Sequence, residues 1–189
     1  MSTKYKATVP EAAYFITITT VNWIDIFTRL NQKSLIVDSL EYCRKEKNLE
    51  IYAWCLMPSH LHMMCRAQNY GVLSEIIRDF KKFTSKKIIQ TIIEEPESRR
   101  EWLLEQFSKA CEHLKRDQNY KVWQDGYHAE ILVTNHFIYQ KLNYIHNNPV
   151  EDGLVQRPWD YMYSSARNYA DLDSLLEVVV LPPQLKTVM

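Results

Sequence analysis

The stretch IYAWCLMPSHLHMMCRA, residues 51–67, decides the fold. It contains two apolar runs, residues 51–57 and 61–67, that are separated by the short connection Pro58-Ser59. Two runs of this length joined by turn-forming residues are typical of an antiparallel hairpin. The stretch therefore predicts two paired strands, and the rest of the chain can be placed around them.

Further strands and helices follow on both sides of this hairpin. Upstream, YFITITT at residues 14–20 is a β-branched and aromatic run that predicts a strand, and residues 34–47 predict a helix capped by Ser34. Downstream, an apolar stripe at helical spacing predicts an amphipathic helix over residues 72–90. The stripe consists of Leu73, Ile76, Ile77, Phe80 and Phe83.

The last third of the chain predicts one more strand and one more helix. Residues 122–133, VWQDGYHAEILV, contain a glycine-marked bend and then an apolar strand. Asn135 can cap a helix that Pro149 is expected to end. The order β-α-β-β-α-(insert)-β-α predicts an α+β, ferredoxin-like (split βαβ) antiparallel sheet with an added C-terminal helix that bears Tyr144.

The chain of 189 residues is expected to form a single domain, with a core over about residues 14–169 and a tail over 170–189. The charged segment at about residues 91–119 favours helix and is interpreted as a helical insertion or a mobile helical segment. The four cysteines form no C-x-x-C pair, which favours buried free thiols. The N-terminus does not resemble a secretory signal and no apolar run could span a bilayer, so we expect a cytoplasmic protein without a membrane partner.

His60 and His62 are the first candidate site residues. Successive side chains of a strand point to opposite faces, so two histidines that are two residues apart project from the same face. They could share one metal ion, although an isolated pair of this kind more often consists of hydrogen-bonded or half-exposed residues. If the two rings lay more than ~5 Å apart, a scaffold or protein-interaction domain with coincidental histidines would be favoured, because metal-ligand bonds are near ~2 Å.

The predicted C-terminal helix supplies the second group of candidates. Gln140, Tyr144 and Asn148 are spaced by four residues and therefore share one helix face. If this helix packs across the sheet, a tyrosine and an amide converge on the two histidines. A divalent cation bound there could stabilise charge on a scissile phosphate during attack by the tyrosine. Taken alone, Tyr144 would be interpreted as a packing residue.

Together these motifs resemble a known family. The segment PSHLHMM is similar to the His-hydrophobe-His (HUH) motif of single-strand DNA nucleases, and YIHNNPVEDGLV and RPWDYMYSSARNY resemble the closing motifs of REP-associated tyrosine transposases. The segments YFITITT, AWCLMPSHLH, FKKFTSKKI and VWQDGYHAEIL also match that family in order and approximate spacing. The resemblance extends from about residue 14 to residue 169.

The resemblance implies a specific activity. His60 and His62 would be metal ligands, and Tyr144 would be the nucleophile that forms a 5′-phosphotyrosine intermediate on single-stranded DNA near a hairpin. Relatives take a third ligand from the position that Asn148 occupies here, often as glutamine; Gln140 or a water molecule could substitute. Two imidazoles alone would also suit zinc, copper or iron. A phosphoryl-transfer site whose metal ion keeps open coordination positions is better suited to Mg²⁺ or Mn²⁺, and the resemblance also implies one of these ions.

The surface that would contact DNA is predicted from charge. Arg78, Lys81, Lys82 and Lys86 gather away from the apolar stripe of the second helix and could follow a phosphate backbone. A solvated helix face is the equal alternative, and the zero formal net charge gives nucleic-acid binding no general support. The resemblance to REP-associated transposases favours a monomer, whereas insertion-sequence relatives form homodimers that exchange the tyrosine helix between subunits. The alternative function is a non-catalytic, nucleic-acid-binding regulator derived from a transposase.

Overall fold

The computed structural model of the chain describes residues 7–69, 72–112 and 118–182. Four strands and five α-helices follow one another along these residues, together with short 3₁₀ turns. They are β1 (Tyr14–Thr19), α1 (Leu30–Glu46), β2 (Leu49–Leu56), β3 (His60–Ala67), α2 (Leu73–Glu94), α3 (Arg100–Lys109), β4 (His128–Ile131), α4 (Asn135–Glu151) and α5 (Ala166–Tyr169).

The strands form a single antiparallel sheet in the order β2-β3-β1-β4. This order places β1 and β3 in the centre and returns the last strand to the free edge of β1, as in the split βαβ arrangement. The predicted ferredoxin-like fold is therefore confirmed. Strand β4 is shorter than the predicted run, because Trp123 forms only an isolated bridge to Thr20 and Gly126 turns the chain with φ of 65°.

The hairpin of β2 and β3 is anchored at its turn. The Met57 amide donates to the His60 carbonyl at 2.8 Å, which closes the turn around Pro58 and Ser59. The carbonyls of these two turn residues accept backbone hydrogen bonds from Phe27 and Thr20, both at 2.9 Å. The start of β3 is consequently held from both sides, which fixes the position of His60.

The two faces of the sheet have different partners. One face carries Ile16, Ile18 and Met63 and is covered by α1, α2 and α3. The opposite face carries Phe15 and Met64, which pack against α4 in a smaller core. Because alternate residues of a strand face opposite sides, His60 and His62 lie on the α4 side together with Met64.

Three helix details differ from the sequence prediction. Helix α1 begins at Leu30 and is not capped by Ser34; its N-cap is Arg29, whose side chain makes no capping hydrogen bond. Phe83, predicted in the buried stripe of α2, is 54% exposed. Helix α4 is capped by Thr134, whose hydroxyl accepts from the Phe137 amide.

Helix α4 also continues through Pro149, which was predicted to end it. A proline inside a helix removes the hydrogen bond to the carbonyl four residues earlier. Only two further helical residues follow Pro149, so the loss is confined to the last turn, and the chain leaves the helix at Gly153 with φ of 70°. The extra turn keeps Asn148 helical and on the buried side of α4.

The segment predicted as an insertion over about residues 91–119 is part of the packed structure where it is described. Helix α2 extends to Glu94, and α3 places Leu103 and Phe107 in the larger core with no exposed surface. Residues 113–117 lie outside the described residues, as do residues 183–189 of the predicted tail. The domain boundaries themselves stay a prediction.

The C-terminal segment covers the edge strand β2. The Leu56 amide donates to the Tyr163 carbonyl, the Ser165 amide to the Trp54 carbonyl and the Val179 amide to the Ile51 carbonyl, each at 2.9 Å. An uncovered edge strand offers unpaired backbone groups to other chains. The segment around residues 163–179 pairs with these groups and thereby completes the sheet.

Ser165 joins three elements at this edge, which leads to a stability prediction. Its hydroxyl lies 2.9 Å from the Trp54 amide and 2.9 Å from Nε2 of His146 on α4. Ser165→Ala leaves both buried groups without this partner and is expected to lower the free energy of unfolding by about 2–4 kcal/mol. Urea unfolding measures the change. Ser108→Ala on the exposed side of α3 is the control, with an expected change within about 0.5 kcal/mol.

All four cysteines are free and buried, as predicted. Within the part of the chain that the structure describes, no helix has the length and apolar character needed to cross a membrane.

Candidate active site

The candidate site is built on the α4 side of the central strands. In the register of β1 and β3, His60 lies opposite Thr19 and His62 lies opposite Thr17. The ring centroids of the two histidines are 4.6 Å apart, with an interplanar angle of 77°. This separation is below ~5 Å, so it does not favour the alternative of coincidental histidines.

His62 is held in place by its neighbours. Its Nδ1 lies 2.9 Å from the Thr17 hydroxyl, and its ring stacks on Phe15 with 5.6 Å between centroids. The other ring nitrogen, Nε2, is buried and has no hydrogen-bond partner among the residues that the structure describes. A buried polar atom without a partner is costly. The arrangement therefore orients one imidazole nitrogen and leaves the second one available to a ligand.

The electrostatic environment keeps both imidazoles neutral. Burial lowers the pKa of His62 to about 3, and the charges of His60 and Lys141 act in the same direction. Burial also lowers the pKa of His60, against the opposing effects of Asp152 and of a hydrogen bond with Asn148. Neutral imidazole is the form that binds metal ions, so both histidines are in the binding form at neutral pH.

Helix α4 brings Tyr144 to the same place. The Tyr144 ring lies 5.2 Å from the His62 ring and 5.9 Å from the Phe15 ring, in edge contact with both. Tyr144 is 41% exposed, so its side chain remains open to an incoming molecule while its ring contacts the site. Helix α4 packs against β2 and β3, which brings the tyrosine to the histidines within the single chain described.

Of the two amides proposed to complete the site, Asn148 is the one on the histidine side. It is 8% exposed, and its hydrogen bond acts on His60. Gln140 is exposed to solvent. The helical conformation through Pro149 is what places Asn148 there, although the residue before a proline normally avoids it.

The donor set can be compared with what a divalent metal ion needs. Two imidazoles that bind one ion at ~2 Å have ring centroids on the order of 3 Å from it, which agrees with rings in edge contact. The unpartnered Nε2 of His62 supplies one donor. Over residues 7–69, 72–112 and 118–182, no group of three or more His, Cys, Asp or Glu could hold a metal ion. The donors that the described site offers to an ion are thus two neutral imidazoles and the side chain of Asn148, which contacts His60.

The predicted basic ridge lies elsewhere. It is carried by α2, which packs on the sheet face opposite the histidines. Lys82 and Lys86 are exposed, and Arg78 is exposed with an ion pair to Asp79 at 3.0 Å. Lys81 instead donates to the backbone carbonyls of Gln124 and Gly126. The structure thus does not bring this ridge to the candidate site, and its role in DNA binding stays a prediction.

Other residues at the site were not identified from the sequence. Thr17 orients His62, and the alternating threonines of residues 14–20 were the only available signal. Lys141 places its Nζ 4.3 Å from the centre of the Phe15 ring and 2.7 Å from the Glu130 carboxylate. This pair ties α4 to β4 one turn before Tyr144. No sequence pattern predicts the Lys141–Glu130 ion pair, because the pair depends on how α4 crosses the sheet.

One of two similar solved structures shares this fold. A REP-associated tyrosine transposase bound to a REP hairpin matches the chain with a TM-score of 0.62 at 20% identity, covering 100% of both chains. A protein from Deinococcus radiodurans R1 assigned as a transposase matches with a TM-score of 0.42 at 18% identity, covering 77% of this chain and 97% of the other. At 20% identity, the match to the REP-associated tyrosine transposase shows a common fold. No curated protein matches the chain.

The sequence itself matches a protein family. The model of the family described as "Transposase IS200 like" covers residues 8–109, which is more than half of the 189 residues. The matched range includes β1, both histidines and the helices of the larger core, and it ends before the helix of Tyr144. The family match and the shared fold agree, and the chain belongs to the IS200-like transposase family.

Proposed function

We propose that the protein is a metal-dependent endonuclease and strand transferase that cleaves single-stranded DNA through a 5′-phosphotyrosine intermediate on Tyr144. The observation that carries the proposal is the convergence of His60, His62 and Tyr144 on one face of the sheet. The buried, unpartnered Nε2 of His62 beside the tyrosine supports it further. A site of this kind is what membership of a transposase family would require.

The chemical step is a transesterification. The Tyr144 oxygen attacks the phosphorus, an O–P bond forms, and the bond between phosphorus and the 3′ oxygen breaks. The phenolic proton passes to solvent, and the departing 3′ oxygen takes up a proton to become a hydroxyl. Partial exposure of Tyr144 leaves its oxygen accessible to the DNA, and the Phe15 and His62 rings restrict where the tyrosine ring can lie.

His60, His62 and Asn148 would hold the metal ion, which we propose is Mg²⁺ or Mn²⁺. When bound, a divalent ion supplies positive charge that stabilises the developing charge on the phosphate oxygens. Thr17 fixes the ring of His62 through Nδ1 and leaves Nε2 available to a metal ion. Fixing the second ring nitrogen in this way is a general feature of metal-binding histidines.

The proposed substrate is single-stranded DNA next to a hairpin. The structural relative described above is bound to a REP hairpin, and we extend that class of ligand to this chain as a proposal. Lys82 and Lys86 would contact a part of the DNA away from the scissile phosphate, because α2 lies on the other side of the sheet. We propose that the enzyme acts as a monomer.

A covalent-adduct assay tests the proposal. The protein is incubated with Mn²⁺ and hairpin oligonucleotides whose single-stranded flanks are randomised. We expect a protein–DNA adduct that survives denaturation, and free 3′ ends that define the cleavage position. Peptide mass spectrometry should place the nucleotide on the peptide that contains Tyr144.

Two outcomes would contradict this function. An adduct on a peptide other than that of Tyr144 would remove the proposed nucleophile. Tight hairpin binding without any adduct, and without a response to Mn²⁺, would favour the alternative of a non-catalytic nucleic-acid-binding regulator.

A further inference from the structure

A turn after β1 presents an exposed tryptophan at the edge of the candidate active site. Trp23 is 60% exposed, whereas Val21 and Ile24 in the same turn are buried. The Trp23 ring lies in edge contact with the His60 ring, with 5.4 Å between centroids. A large aromatic surface is therefore held in solvent directly beside a candidate metal ligand.

The backbone of this turn is fixed in an uncommon conformation. Asn22 and Trp23 have φ of 53° and 55°, in the left-handed region that a bulky side chain rarely adopts. Thr20 holds the turn, because its hydroxyl lies 2.8 Å from the Ile24 carbonyl and 2.9 Å from the Ser59 carbonyl. Strained residues persist where their surroundings hold them, and they cluster at functional sites. The exposure of Trp23 is thus imposed by well-anchored neighbours.

Trp23 and Tyr144 contact different members of the histidine pair. Tyr144 contacts His62 and Phe15, which pairs with Met64 beyond His62 on β3, while Trp23 follows the end of β1 and contacts His60 at the opposite end of the histidine pair. In an in-line displacement the attacking and leaving oxygens lie on opposite sides of the phosphorus. Because Tyr144 attacks from the His62 side, the departing 3′ oxygen and its nucleotide face the side on which Trp23 lies.

We propose that Trp23 is a stacking platform for the base directly 5′ of the scissile phosphate in single-stranded DNA. The inference rests on the proposed function for the position of that phosphate. Aromatic side chains stack on any base, so Trp23 would hold the nucleotide without reading its identity.

Stacking would also keep the cleaved end in place for strand transfer. After cleavage the stacked nucleotide carries the free 3′ hydroxyl. In the reverse step this hydroxyl attacks the phosphorus and loses its proton to solvent, the bond to the Tyr144 oxygen breaks, and the tyrosine takes up a proton. Trp23 is thus expected to influence rejoining as well as cleavage.

The first arm of the test measures binding without cleavage. In a Tyr144→Phe background, Trp23→Ala is expected to weaken the binding of a fluorescein-labelled oligothymidylate by ~10-fold to 100-fold, as for other base-stacking residues. Fluorescence anisotropy gives the affinity. Trp23→Phe keeps an aromatic face and should lose less affinity for the oligothymidylate than Trp23→Ala. Trp102→Ala on α3 removes another exposed tryptophan and should leave the affinity unchanged.

The second arm separates stacking from a merely structural role beside His60. An abasic nucleotide placed 5′ of the mapped cleavage position should lower kcat/KM of the wild type by a similar factor. It should have little further effect on Trp23→Ala, since that variant has no platform to lose. Equal sensitivity of both proteins to the abasic nucleotide would overturn the proposal, as would unchanged or absent oligothymidylate binding in the first arm.

The two arms also distinguish this inference from the function on which it rests. If no DNA is cleaved but Trp23→Ala weakens binding as expected, the proposed function fails and the stacking surface stands. If cleavage is normal and Trp23→Ala behaves as the wild type on both DNAs, the function stands and the stacking surface does not.

Discussion

Tyr144→Phe is expected to reduce DNA cleavage and adduct formation by at least about 10⁴-fold, because it removes the only atom proposed to attack the phosphate. Phenylalanine keeps the ring that contacts His62 and Phe15. Since the residue is 41% exposed, its hydroxyl is not needed to satisfy a buried partner. Hairpin binding should therefore change by less than about 2-fold and stability by less than about 0.5 kcal/mol.

Tyr42→Phe is the matched control for this experiment. Tyr42 is 57% exposed on α1, which covers the other face of the sheet, and its replacement should leave cleavage unchanged. Single-turnover gel assays with Mn²⁺ measure the cleavage rate, and anisotropy measures binding. Residual adduct formation by Tyr144→Phe at a rate near that of the wild type would show that a different residue is the nucleophile.

The sheet could be predicted from the sequence because its strands carry strong local signals. The apolar runs around Pro58-Ser59 and the β-branched run of β1 each specify a strand without help from the rest of the chain. The ends of helices were less predictable. Helix α1 starts at Leu30, ahead of Ser34, without a side-chain cap, and Pro149 is accommodated inside α4. Both helices therefore extend past a residue whose local preference predicts a helix end.

The candidate site was predictable where strand and helix periods determine it. A spacing of two placed His60 and His62 on one face, and a spacing of four placed Tyr144 and Asn148 on one helix face. The partners of these residues were not predictable. Thr17 reaches His62 only in the observed strand register, and the exposed conformation of Trp23 depends on contacts with distant residues such as Ser59. Contacts of this kind arise from tertiary structure and leave little trace in local pattern.

His62→Ala is expected to abolish Mn²⁺ binding, with an affinity loss of more than about 100-fold, and to abolish cleavage with it. His62 contributes a buried Nε2 to which none of the described residues offers a hydrogen bond, so a bound ion would stabilise the folded protein. Mn²⁺ at about 100 times its Kd should raise the free energy of unfolding of the wild type by about 2.7 kcal/mol. The variant should show no such increase in thermal or urea unfolding.

The stability measurement separates loss of metal binding from loss of folding. Without metal, His62→Ala is expected to lower the free energy of unfolding by about 1–3 kcal/mol, because it leaves a cavity against Phe15. His136→Ala, which removes an exposed histidine in the first turn of α4, is the control and should keep the full response to Mn²⁺. If Mn²⁺ stabilised His62→Ala as strongly as the wild type, the ion would have to bind elsewhere. The histidine pair would then be a packing feature of the fold, and the phosphotyrosine chemistry would need another source of positive charge.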